Sequence, residues 1–167
     1  MHKLVGNVMI FAILLLSMIL IARAEVDFSG EWRLDREKTE LSQRGIFLVK
    51  LSVTQKGDSL LTERTYESGN GEQYPFSENL TLDGKEYQMT IYDMPRTCSV
   101  NRSNDGKMLL VKSKVIYYGD TGEVEMSINE TWSLNQDGSE LSIEIISKTP
   151  QGERTGSYFY KKMGSTP

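Results

Sequence analysis

Residues 124–134 read VEMSINETWSL, so that Val124, Met126, Ile128, Trp132 and Leu134 alternate with Glu125, Ser127, Asn129, Thr131 and Ser133. Side chains of an extended chain point to opposite faces in turn, so this pattern gives a strand one apolar face and one wet face. The same alternation predicts apolar faces of Phe47, Val49, Leu51 and Val53, of Tyr87, Met89 and Ile91, of Leu109, Val111, Val115 and Tyr117, and of Leu141, Ile143 and Ile145. Glycine-centred turns separate them: Lys56-Gly57-Asp58, Gly69-Asn70-Gly71, Asp83-Gly84, Asp105-Gly106, Gly119-Asp120-Thr121-Gly122, Asp137-Gly138 and Gln151-Gly152. Glycine supplies the positive φ of tight hairpins, and aspartate or asparagine tolerates it. Strands are expected near 28–35, 46–55, 59–67, 73–82, 85–92, 97–103, 107–118, 123–134, 140–148 and 153–162. Merging halves of bent strands leaves roughly eight to ten, and hairpin-to-hairpin order favours closure over a sandwich because closure removes exposed edges. The expected fold is all-β, a single antiparallel up-and-down β-barrel. One short helical connection is expected over Arg36 to Gln43, with Asp35 as its cap.

The start of the chain has a different grammar. Residues 1–24 join a basic start (His2, Lys3), an apolar run from Val8 to Ala22 and the small-x-small ending Ala22-Arg23-Ala24. That is the pattern of a secretory signal peptide cleaved before Glu25. The alternative is an uncleaved anchor, since Leu4 to Ala22 approaches the length of a membrane helix. The expectation is an exported protein, periplasmic or secreted, with residues 25–167 as one barrel domain and no stable membrane insertion after cleavage. Without Lys3 and Arg23 the 19 basic residues fall to 17 against 23 acidic ones, a net charge of −6, which disfavours nucleic acid and anionic lipid surfaces as partners.

The sole histidine, His2, leaves with the leader. Its loss removes Ser-His-Asp and Cys-His nucleophiles and histidine zinc sites, so no catalytic residue, metal or cofactor is expected. Cys98 is the only cysteine and is expected to be a buried, inert thiol, with an intermolecular bridge as the alternative. Pro95 is expected to end a strand or mark an edge. Asn79, Asn101 and Asn129 begin Asn-x-Ser/Thr triplets, which matter only in a glycosylating secretory route.

Glu130 breaks the apolar face that Val124 begins. A buried carboxylate is costly unless paired and hydrogen-bonded, and Arg64, on a face with Leu60, Thr62 and Tyr66, is the candidate partner. With Ser113 and Ser147 they form a polar cluster inside or at the mouth of the barrel, and Tyr117 adds an aromatic wall. The candidate ligand-binding set is thus Arg64, Tyr66, Ser113, Tyr117, Glu130 and Ser147. The plainer readings are a structural ion pair for Glu130 and ordinary core for Tyr117 and the run Tyr158-Phe159-Tyr160.

The first strand opens FSGEWRLDREKTEL, residues 28–41, with Phe28, Gly30, Trp32 and Leu34 expected inward and Ser29, Glu31, Arg33 and Asp35 on the wet face. Gly30-Glu31-Trp32 resembles the Gly-x-Trp motif of lipocalins and other calycins. The wider wording, with LTLDGKEY (80–87), ETWSLNQDGSELSI (130–143) and SYFYKK (157–162), is similar to exported bacterial barrel proteins of uncharacterised function described as lipocalin-like. The lipocalin disulfide and the second and third lipocalin motifs are absent. The resemblance implies that Gly30 lets the chain pass close, that Trp32 plugs one barrel end, and that a basic residue of the last strand stacks on the indole. Arg154, Lys161 and Lys162 are the candidates, with Lys161 favoured. The charges from Arg36 onward are expected to carry the chain around that closed end, leaving the other end open. The resemblance says little about cargo; the barrel reading itself leads to the expectation of a small apolar or amphipathic ligand, such as a lipid, held inside. The alternatives are an interaction or structural module with a filled barrel and a carboxylate- or tyrosine-dependent enzyme.

Overall fold

A computed structural model describes residues 25–41, 45–119 and 122–164, so the expected signal peptide lies outside the described residues. The strands are β1 (Gly30–Leu34), β2 (Ile46–Lys56), β3 (Ser59–Ser68), β4 (Gln73–Thr81), β5 (Tyr87–Ile91), β6 (Met94–Arg102), β7 (Met108–Gly119), β8 (Gly122–Leu134), β9 (Glu140–Thr149) and β10 (Gly152–Lys162). They form one ten-stranded sheet in the order β4-β3-β2-β1-β10-β9-β8-β7-β6-β5. Every neighbouring pair is antiparallel, and the first and last strands meet through Trp32–Lys162 and Leu34–Tyr160. The result is the expected up-and-down architecture, a nearly closed barrel.

The closure is completed by side chains rather than by a continuous ladder. Between β4 and the β5–β6 hairpin, the hydroxyls of Thr81 and Tyr87 lie 2.7 Å apart, Arg96 meets Glu78 at 2.9 Å, and the Tyr92 hydroxyl donates to the Pro75 carbonyl at 2.5 Å. Near one end of this seam the chain after β4 touches β6 through backbone, where the Gly84 N–H donates to the Val100 carbonyl and Asp83 bridges Asn101. Gly84 has a φ of +76°, and a Cβ there would fall 2.3 Å from the Asn101 side chain. Glycine takes that conformation without strain, and any side chain there would displace Asn101.

Two local features depart from the expected pattern. In β2 the register slips between Leu48 and Lys50. A bulge adds a residue to one strand, so Leu48, Leu51 and Val53 are buried while Phe47 and Val49 are only half-buried. The expected face of Phe47 and Val49 is corrected accordingly. The β5–β6 turn is made by Tyr92 and Asp93, both with positive φ (49° and 64°) and neither a glycine. Strand β6 therefore begins at Met94, ahead of the expected 97, and Pro95 pairs with Thr90 of β5 just before the β6–β7 ladder starts at Arg96. A proline at that margin removes no β7 hydrogen bond.

Among the described residues there is no helix over 36–41; the segment makes one turn, with the Thr39 N–H donating to the Asp35 carbonyl at 3.0 Å. Asp35 does cap that turn, accepting from the Glu37 N–H at 3.1 Å, yet on the outer face it is buried and not wet. Its other oxygen meets Lys161 at 2.9 Å. In an up-and-down barrel the β1–β2 connection shares an end with the β3–β4, β5–β6, β7–β8 and β9–β10 turns. The chain after Leu34 therefore leaves toward the end opposite Trp32, which corrects the expected place of the charges from Arg36 onward around the closed end.

The two ends are packed unequally. Toward the chain termini, Phe28, Trp32, Leu51, Leu60, Leu80, Val100, Leu109, Trp132, Leu141 and Ile143 are at most 1% exposed, a solid core in which each aliphatic side chain stabilises by about 1.5–3 kcal/mol. Trp132 meets Phe28 edge-on at 6.3 Å. At the other end, the inward positions Met89, Ile91, Met126, Ile128, Ile145 and Tyr117 are only half-buried. Alternation aims them inward, so water reaches part of the inner face at this end, although Val115 and Val124 there are buried.

Candidate functional site

The Gly-x-Trp corner explains itself at atomic level. The Trp32 indole N–H donates to the Phe28 carbonyl at 3.0 Å, and the ring is wholly buried. Lys162, not Lys161, lies over the indole, with Nζ 5.2 Å from the ring centroid, while Lys161 faces outward to Asp35. Register decides between them: Lys162 pairs with Trp32, and Lys161 with Arg33, so they take opposite faces. Gly30 has a φ of +147°, and a Cβ there would come within 2.7 Å of the Lys162 side chain. The glycine thus makes room for the lysine that covers the tryptophan.

Where the solid core gives way to the open half, the barrel holds four buried charges in a chain. Arg64 on β3 binds Glu130 on β8 through two nitrogens, Nη1 to Oε1 at 2.9 Å and Nη2 to Oε2 at 3.1 Å. Its Nε lies 3.2 Å from Glu78 on β4, and Glu78 meets Arg96 on β6 at 2.9 Å. The Trp132 indole donates to Glu130 Oε2 at 2.7 Å, and the Arg64 guanidinium lies 5.2 Å from the Trp132 ring centroid. The alternating sequence Glu130, Arg64, Glu78, Arg96 spans the lumen from β8 to the seam and sums to zero charge.

Burial and pairing move Glu130 and Arg64 away from their solution behaviour. Burial pushes the Glu130 carboxyl up, but the charge and hydrogen bonds of Arg64, the charge of Arg96 and the Trp132 N–H outweigh it and hold the group below the ordinary range. Burial also works against the Arg64 charge, and Glu130, Tyr66 and Glu78 more than compensate, raising its pKa. Burial raises the Tyr160 and Tyr66 phenols, so both keep their protons. Cys98 is fully buried and burial raises its thiol, which makes it the inert cysteine expected.

Of the expected ligand-binding residues, the fold brings Arg64, Glu130 and Tyr66 into one cluster, with the Tyr66 hydroxyl accepting from Arg64 at 3.4 Å. Ser113 and Ser147 flank Ile128 on the neighbouring strands; Ser113 is buried, and Ser147 is half-buried with its hydroxyl 3.5 Å from the Arg154 carbonyl. Tyr117 stands nearer the open rim, opposite Val124. Neither the serines nor Tyr117 joins the ion chain. Sequence reasoning missed Glu78 and Arg96 as members of this cluster and weighed Tyr160 only within its aromatic run, as cavity wall or core. Glu78 was legible by the rule that found Glu130, since it interrupts the apolar alternation of Tyr74, Phe76 and Leu80.

The Tyr160 hydroxyl, the Ser113 hydroxyl and Arg96 Nε are buried donors without a hydrogen-bond partner, while Arg64 Nε and Glu78 Oε1, which also lack a hydrogen bond, lie within ion-pair distance of Glu78 and Arg96 respectively. Above it stands Tyr66 stacked on Phe76 at 5.7 Å. The arrangement suits non-covalent binding: a polar floor with spare donors beneath a half-open apolar wall. No group of three or more His, Cys, Asp or Glu side chains placed to hold a metal occurs among the described residues. Comparison with known proteins finds no matching family model, no matching curated protein and no matching solved structure, so the calycin likeness stands on the barrel and the Trp32 corner alone.

Proposed function

We propose that the protein is an exported lipocalin-like binding module, not an enzyme, that holds a small apolar or amphipathic molecule in the open half of its barrel. The observation that carries this reading is the half-buried inward face of Met89, Ile91, Met126, Ile128, Ile145 and Tyr117 above a buried polar floor. Small-molecule sites share that design, apolar walls with a few convergent polar groups. Three large side chains at the same end support it: Ile46, Tyr92 and Tyr118 are 60%, 53% and 80% exposed, an apolar fringe to the mouth.

Native mass spectrometry of protein purified from its own host tests the proposal, together with binding of the uncharged dye N-phenyl-1-naphthylamine. A co-purifying small molecule, or saturable dye binding weakened by Ile128→Trp, is the expected result. A mass equal to the polypeptide alone together with no dye binding overturns the proposal in favour of a filled structural barrel.

A further inference from the structure

We infer, on the basis of that binding role, that the barrel selects amphiphiles whose polar end is an uncharged hydrogen-bond acceptor, such as an ester or ketone oxygen, over fatty-acid anions and alkylammonium ions. Two observations carry this. The first is charge balance: Arg64 and Arg96 are each opposed by Glu130 or Glu78, and all four side chains are at most 5% exposed. A charged head brought against this floor adds a buried charge with no counter-ion, the costly case. The second is the balance of donors and acceptors. Both Glu130 oxygens accept hydrogen bonds, and each Glu78 oxygen lies within ion-pair distance of a guanidinium, so an ammonium finds no free carboxylate. The hydroxyls of Tyr160 and Ser113 and the Nε of Arg96 are donors left over. A surplus of donors at a neutral site calls for a neutral acceptor.

The test is displacement of N-phenyl-1-naphthylamine from the protein by three chains of equal length, methyl laurate, laurate and dodecylamine, at neutral pH. Methyl laurate is expected to displace the dye at a concentration lower by about tenfold or more than either charged chain. Glu130→Gln and, separately, Glu78→Gln each leave the floor with one excess positive charge, and either is expected to move the preference toward laurate. Tyr160→Phe is expected to weaken the ester and leave dye binding in place. Laurate binding to the wild type as tightly as the ester, or no move toward laurate in a Gln variant that still binds the dye, overturns the head-group inference while barrel binding stands. Failure of the dye and of all three chains to bind overturns both.

Discussion

Trp132 and Ile128 lie on the same face of the same strand, separated by Glu130, yet Trp132 is completely buried and Ile128 is reached by water. The contrast runs around the barrel. Leu141 against Ile145 on β9, and Leu109 against Tyr117 on β7, repeat it. One alternation rule builds both halves, but the half beside the termini is filled by two tryptophans, Phe28 and a ring of leucines, and in the other only Val115 and Val124 are as closely covered. Between them sit the four buried charges. The lesson is that period-two patterning fixes which way a side chain points and leaves open how much stands in front of it.

The comparison can be broken first at the boundary. Arg64→Ala leaves Glu130 and Glu78 buried with less compensation and is expected to cost about 3–5 kcal/mol in urea denaturation, the largest single effect. Truncation on either side of the boundary comes next. Leu141→Ala in the filled half should cost about 2–5 kcal/mol, and Ile145→Ala in the open half about 1 kcal/mol or less, because water already reaches the site. Equal losses from the two β9 variants would show the open half to be packed core.

Acid sharpens the role of the boundary. Glu130 has a folded-state pKa below its ordinary value of 4.5, so its contribution is fully present above that value and is lost as pH falls through the lowered folded value. Stability followed by denaturation midpoint should therefore drop more steeply on acidification in the wild type than in Glu130→Gln. The smallest effect belongs to the plug. Lys162→Ala removes the cation over Trp32 and should cost about 0.5–2 kcal/mol, with the loss visible as a change in tryptophan fluorescence.

Much of this barrel was legible in residue order. Nine of the ten strands follow the expected segments closely, because each is bounded by a glycine turn and carries one apolar face. The exception, the start of β6, turns on Tyr92 and Asp93, which adopt positive φ without the glycine that normally announces it. The β2 bulge was equally silent, since Phe47, Leu48 and Val49 are all apolar and fit either face. Within the site, Arg64 and Glu130 were found by the cost of a charge on an apolar face. Glu78 obeyed the same rule unnoticed, and Tyr160 was set down as core because a tyrosine in a strand usually is.

The sequence alone determined the strands, their inward faces, the meander order and the need for Glu130 to have a cationic partner, because these follow from side-chain alternation, glycine turns and the cost of an unpaired buried charge. Tertiary structure alone decided that Lys162 rather than Lys161 covers Trp32, that Arg64 serves two glutamates, and that the seam at β4 is closed by side chains. Those depend on register, tilt and which distant strands face one another across the lumen, relations that no local pattern encodes.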